Sequence, residues 1–377
     1  MRAVVYRGVN DLRLEIVPVP RIGAHELLVK VAVCGVCPTD IKKIQYGTVP
    51  PPRIFGHETA GVISKLGPGV SKLGWKIGDR VALHHHVPCR DCHFCRHHAF
   101  AQCETYKRTG ITAGFQPAGG GYAEYVRVLP FVLPGVVKIP AKNSFAEGAM
   151  LEPVNTVLKA VRRLSLLRGD VVLVAGQGPI GLMFTRLLQI AGARVIATDL
   201  LEPRLRLARK FGAKWTSFAQ TGRAELPLRP DARQRVSTAT LIHRATRGRG
   251  LDAAVIAVPS DAVVQQALQL IRCGGQLMLF AHTKRTPTLN PQPSTLNFPL
   301  DLASVCLDEK DLLGSYSSDF TLQDEVARLV FSRQLDVRQL ISHRFPLEQT
   351  AAAVQLAGRP TEDSLKIIVG GTACRRP

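Results

Sequence analysis

The chain has 377 residues, with 46% hydrophobic and 21% charged content, long enough for two or three domains with full cores. That composition excludes a disordered tail, a collagen-like repeat and a small disulfide-stapled scaffold, and no apolar run approaches the ~20 residues that span a bilayer. Lys and Arg number 49 against 29 Asp and Glu, a formal charge of +20; the basic residues run from Arg2 to Arg376 without a sustained block, which points to an Arg-rich solvated surface before a polyanion-binding one.

Met1 is followed by an alternating segment with no apolar signal core, so the expected location is cytoplasmic. Up to about residue 150 the chain reads as short strands punctuated by Gly and Pro. Leu27 to Val33 is strand-like, and Pro50-Pro51-Pro52 and Gly67-Pro68-Gly69 mark turns, a spacing that suits an all-β barrel or sandwich. From about 170 the rhythm changes. Val171 to Ala175 predicts a buried strand, Gly176 to Gly181 a Gly-rich turn, and Leu182 to Ile190 a helix, followed by a strand from Arg194 to Asp199. Further strands are expected at Leu251–Val258 and Gln276–Ala281, with helical pattern between them, which argues for a parallel, doubly wound sheet. After about 295 the alternation fades until a closing strand at Ser364–Val369.

Gly176-Gln177-Gly178-Pro179-Ile180-Gly181 fits G-x-G-x-x-G, and it follows a predicted strand and opens a predicted helix. The first Gly allows the tight turn, the second admits a pyrophosphate close to backbone N–H groups, and the third lets helix and strand pack. Asp199 ends the next strand, where a carboxylate would accept from a ribose 2′-OH and repel a 2′-phosphate. The expected cofactor is therefore NAD, with Arg204 near enough in sequence to soften the preference.

Six of the nine Cys fall at two places. Cys89, Cys92, Cys95 and Cys103 supply four sulfurs, which complete a tetrahedral Zn²⁺ with no open position and so predict a structural site. An iron–sulfur cluster or a redox pair could use the same spacing, but no further Cys cluster or flavin-type pattern accompanies it. One of the six His between His84 and His98 could substitute as a ligand, but His93, His97 and His98 read rather as loop residues, and His84 to His86 lead toward a second site. That second set is dispersed: Cys34 and Cys37 with Thr39 and Asp40, then Gly56-His57-Glu58, then Glu152-Pro153. One thiolate, one imidazole and one or two carboxylates suit a Zn²⁺ that keeps a place for water or substrate.

In family order, Cys37-x-Thr39-Asp40, Gly56-His57-Glu58-x-x-Gly61-x5-Gly67-x2-Val70, the four-Cys loop and the Gly-rich turn make the whole chain resemble a zinc-dependent medium-chain alcohol/polyol dehydrogenase. Glu152-Pro153, Gly314-Ser315-Tyr316 and Leu365-Lys366 are similar to its sorbitol/threonine dehydrogenase branch. The resemblance implies an α/β protein: a GroES-like β-barrel catalytic domain (1–155 and 296–377) plus a Rossmann cofactor domain (156–295). It implies that Cys37 and His57 bind a catalytic zinc, with Glu58 and Glu152 as exchangeable or water-bridged carboxylates. Thr39 would carry a proton relay and Thr156 would sit against the nicotinamide. The implied activity is hydride transfer between a secondary alcohol (polyol, sugar or amino alcohol) and NAD, by a homodimer or homotetramer.

Three positions depart from the family pattern: Lys42, where an outer relay His is common; Pro38, beside the pyrophosphate; and the Arg-rich stretch Arg223 to Arg235. The reading from a different class is a non-catalytic polyanion-binding protein using the basic surface, whose binding would fall steeply with salt. The complete hydride-transfer set makes nucleic acid the weaker expectation. Val49, Phe55, Phe115 and Phe280 are candidate pocket positions.

Overall fold

The computed structural model describes residues 1–84, 87–109, 118–219, 237–281 and 300–370. His85, His86, Phe115 and the Arg223–Arg235 stretch lie outside these residues. The chain forms two compact units, Met1–Thr156 with Ser317–Pro377 and Val157–Tyr316. Helix Leu151–Arg162 carries the chain from the first to the second.

In the first unit, strands Ile341–Pro346, Lys366–Gly370, Leu27–Gly35, Glu58–Leu66, Arg80–Leu83 and Val136–Lys138 lie side by side in that order. Leu27–Gly35 pairs with Glu58–Leu66 on one side. On the other it pairs first with Tyr125–Val128 and then, through Val33 to Gly35, with Lys366–Gly370. A strand that exchanges partners along its length is how a sheet curls toward a barrel. A separate three-stranded sheet joins Asp11–Ile16, Arg2–Gly8 and Arg53–Ile54. Two apolar cores result, one around Tyr6, Ile54, Phe55 and Tyr122, the other around Leu27, Val29, Ile63 and Val81. Phe55 is 1% exposed and packs edge-on against Tyr6 at 5.3 Å. It is a core residue, which corrects its expected place in a pocket.

The second unit is a six-stranded sheet in the order Trp215–Phe218, Arg194–Asp199, Val171–Ala175, Leu251–Ile256, Ile271–Leu279 and Asp311–Gly314, parallel throughout. Val171 to Ala175 are all buried, as a central parallel strand covered on both faces requires. Chain order reverses beside this strand, the place where open α/β sheets bind ligands. Phe280 packs edge-on against Phe184 at 4.9 Å.

The return to the first unit falls at Ser317, later than the 296 read from the sequence. Asp311–Gly314 pairs in parallel with Ile271–Leu279 and so belongs with the cofactor-type sheet. Four residues with one charge and one Gly are too short to show a strand period.

Candidate active site

Cys37 sits just beyond strand Leu27–Gly35 and caps helix Pro38–Tyr46. Its Sγ accepts from the Thr39 N–H at 3.4 Å, Pro38 occupies the first helical turn, and Gly47 closes the helix in the left-handed region at φ 61°. Opposite Gly35, Glu58 opens the strand Glu58–Leu66. His57 precedes it, and the turn into His57 needs Gly56: at φ 97°, a Cβ there would lie 2.7 Å from Cys34 Sγ and 2.9 Å from Tyr122. Lys366 enters from the closing strand, which is also a neighbour of Leu27–Gly35.

One ligand atom each from Cys37, His57 and Glu58 lies within 4.8 Å of the other two. His57 is 3% exposed, and its Nδ1 stands 3.2 Å from Asp40 Oδ1. A carboxylate on one ring nitrogen fixes the ring and the tautomer, leaving the other nitrogen to a ligand-accepting partner. Burial works against charge on the His57 ring, but Asp40 and Cys37 outweigh it and hold its pKa well above the usual imidazole range. Glu152, 4% exposed at the start of helix Leu151–Arg162, stands outside the three-residue cluster. Burial pushes its carboxyl up, and His57 and His84 pull it down. Burial also pushes the Glu58 carboxyl up, with Lys366 opposing. A thiol, an imidazole and a buried carboxyl around one point form an electron-rich donor set that a divalent cation fits.

Two members of this neighbourhood carry no assigned role in the sequence reading. Asp40 is 0% exposed and orients His57; its place in the Cys37-x-Thr39-Asp40 run was the available signal. Lys366 is 5% exposed, and its Nζ donates to Glu58 Oε1 at 2.5 Å and to the Val36 carbonyl at 2.9 Å. More than three hundred residues separate the two partners, so no local pattern could pair them. Thr156 is half-buried and its Oγ1 donates to Pro153 O at 2.8 Å. Its neighbour Asn155 is clamped instead, donating to Asp319 O at 2.9 Å and accepting from Asp319 N–H at 2.8 Å.

The Cys89, Cys92, Cys95 and Cys103 sulfurs also lie within 4.8 Å of one another. Sγ separations of 3.9 Å (Cys89–Cys95) and 3.5 Å (Cys92–Cys95) are far beyond a disulfide bond, and all four are free thiols. N–H groups of Asp91 and Cys92 lower the Cys89 thiol to about 6, whereas burial pushes Cys95 up to about 12. Phe100, Tyr106 and Phe320 pack around the lobe. Four converging sulfurs fit a closed tetrahedral zinc site. His93 lies within the helical turn His93–Arg96, which corrects its reading as a loop residue, and His97 caps that turn.

In the second unit, Gly176 takes φ 92° and Gly178 caps helix Pro179–Ile190, with Pro179 at its first position. A Cβ on Gly181 would meet Gly176 O at 1.7 Å, whereas one on Gly178 would meet nothing within 4 Å. The third Gly therefore serves helix–strand packing, and the second leaves the helix N-terminus open to an anion. Ile180 is half-buried in the first turn of this helix. Gln177 turns inward: its Oε1 accepts from Thr185 and its Nε2 donates to Val174 O. Asp199 is 7% exposed; Oδ2 accepts from Gln177 N–H at 2.6 Å and Oδ1 from Leu201 N–H at 3.0 Å. Arg204 Nη1 is 3.9 Å from Asp199 Oδ2. The turn and the acid are thus one hydrogen-bonded unit, and a dinucleotide fits it.

Residues 23–141 match the alcohol dehydrogenase GroES-like domain model and residues 179–332 the zinc-binding dehydrogenase model. The chain is 29% identical over 375 residues to sorbitol dehydrogenase of Bacillus subtilis, covering 98% of this chain and 97% of that protein. It is 30% identical over 351 residues to a protein named "probable D-xylulose reductase A" from Neosartorya fischeri, covering 90% and 88%. The solved structure of an alcohol dehydrogenase from Thermus sp. ATN1 superposes with a TM-score of 0.80 at 26% identity, covering 98% of this chain and 100% of that one. No helix among the described residues is long and apolar enough to cross a membrane. With its GroES-like domain, parallel cofactor-type sheet and full-length relatives, the chain belongs to the zinc-dependent alcohol and polyol dehydrogenase family.

Proposed function

We propose that the protein oxidises a secondary alcohol of a polyol or sugar, with NAD⁺ as hydride acceptor. The observation that carries this reading is the convergence of Cys37, His57 and Glu58 beside the Lys366 ammonium; the names of the polyol-active relatives supply the substrate class. Cys37 and His57 would hold the zinc, with Glu58 and Glu152 as its exchangeable or water-linked carboxylates. When bound, the zinc supplies a Lewis acid for the alcohol oxygen and the nicotinamide takes the hydride.

The chain's own groups do the remaining work. Asp40 keeps the His57 ring in one orientation. Lys366 holds Glu58 on the strand end, where the carboxylate reaches the cluster without a free rotation. Thr39 carries a hydroxyl next to Cys37, and a hydroxyl both accepts and donates, so it can receive the substrate proton and pass it outward. Gly176, Gly178, Pro179, Ile180 and Gly181 would seat the pyrophosphate, Asp199 and Arg204 the adenosine ribose, and Thr156 the nicotinamide. The unit of residues 1–156 and 317–377 would be the catalytic domain and that of 157–316 the cofactor domain, in a cytoplasmic homodimer or homotetramer. The four-Cys lobe would carry a second, structural zinc.

The test is NAD⁺ reduction by zinc-loaded protein against polyols, amino alcohols, cyclitols and simple alcohols. Polyols should be the best substrates. Thr39→Val should keep zinc and NAD⁺ but slow turnover by about 10²-fold or more, the scale of a lost proton-transfer group. Glu58→Gln and Glu152→Gln compared for metal content assign the carboxylates. Normal activity in zinc-free Cys37→Ala protein would overturn the reading.

A further inference from the structure

We infer that His93 and His97 form an additional surface site for a divalent transition-metal ion, separate from the cysteine cluster beside it. His97 N–H donates to His93 O at 3.2 Å, the hydrogen bond that closes one α-helical turn. Residues one turn apart share a helix face, and the two rings stand side by side with centroids 4.4 Å apart and planes inclined by 52°. Both residues are exposed, so small rotations about their side-chain bonds aim one nitrogen from each ring at a common point in solvent. Two imidazoles at helical spacing are a bidentate chelate for borderline-soft ions such as Zn²⁺, Ni²⁺ or Cu²⁺, with water at the other positions. The helical turn is anchored at Cys95, which is 4% exposed, so the backbone presenting the pair is held by the lobe beneath it.

The surrounding charges allow a cation. Arg96, the cation between the two His in sequence, is turned to Asp91, with Nη2 at 3.1 Å from Oδ1. His98 follows directly but leaves the helix in the left-handed region at φ 55°, with its ring edge-on to Phe100 at 5.7 Å. It stays off the chelating face and serves as the control position.

Ni²⁺ is titrated into untagged, zinc-loaded protein by calorimetry, with zinc content measured before and after. One Ni²⁺ equivalent should bind without releasing zinc. His93→Ala and His97→Ala should each weaken it by at least about tenfold, because either change converts a chelate into a single-ligand contact. His98→Ala should leave it unchanged. Should an alanine variant release zinc from the cysteine lobe, His93→Gln and His97→Gln replace it, keeping a polar side chain on the turn. Failure of the zinc-loaded wild type to bind Ni²⁺, or Ni²⁺ binding that persists in the double variant, would overturn the site.

Discussion

Lys366→Met tests whether the Glu58 ion pair holds the strand ends that carry the candidate site. Both partners are almost wholly buried, at 5% and 1% exposure, and the ammonium also satisfies the Val36 carbonyl. Met matches the length of the stem but leaves the Glu58 carboxylate without its counter-charge. Removing one partner of a buried pair costs about 3–5 kcal/mol. At about 2–4 °C per kcal/mol for a unit of some 200 residues, the melting temperature should fall by roughly 6–20 °C.

The loss should also depend on pH. Without the lysine, burial keeps the Glu58 carboxyl protonated in the folded state well above the pH at which it ionises in the unfolded chain. The folded state then binds more protons than the unfolded one, so stability falls as pH rises through that interval. The deficit relative to wild type should therefore be smaller at pH 5 than at pH 8. Urea unfolding at both values, on Lys366→Met, Glu58→Gln and the double variant, gives the coupling directly. The double variant should lose less than the two single losses added together. A Lys366→Met protein within about 1 kcal/mol of wild type, or strict additivity, would refute the reasoning, since a buried pair cannot be severed at so small a cost.

Asp199→Ala should weaken NAD⁺ binding and narrow the gap to NADP⁺; because it also releases the Gln177 and Leu201 N–H groups, it should cost about 1.5–3 kcal/mol of stability. Cofactor titrations with both dinucleotides check this, and a wild type that prefers NADP⁺ would count against it. Cys95→Ala should lose one zinc equivalent and lower the melting temperature, because metal affinity at a closed site is partly folding energy; an unchanged midpoint with zinc lost would rule out a folding role. Glu26 is buried, which alone would raise its carboxyl, but Arg127 at 2.6 and 2.8 Å and the Gly23 N–H hold it below the ordinary range. A depressed folded value means stability present above the unfolded value of about 4.3 and lost as pH falls through the folded one. Glu26→Gln should therefore unfold more easily at pH 7 and lose less on acidification, as read by urea midpoints at pH 7 and 3.5.

What the sequence determined by itself was whatever chemistry lies close along the chain. The four-Cys lobe closes within residues 89–103, and the Gly-rich turn with its following strand acid spans 176–199. Each is built from neighbours whose spacing dictates geometry. Cys37 and Thr39 were readable for the same reason, since a cap and its helix are local. Tertiary structure decided the rest. His57 and Glu58 meet Cys37 only because strands Leu27–Gly35 and Glu58–Leu66 pair with Gly35 opposite Glu58. Lys366 arrives from the far end of the chain through the neighbouring strand. The short strand Asp311–Gly314 joined the parallel sheet by pairing with Ile271–Leu279, although its own four residues carry no readable period. Phe55, just past the short strand Arg53–Ile54, went to the core because Tyr6 on strand Arg2–Gly8 packs against it. Residue spacing specifies local geometry, but burial and the partners of a side chain depend on which distant segments pack together, and only the folded chain sets that.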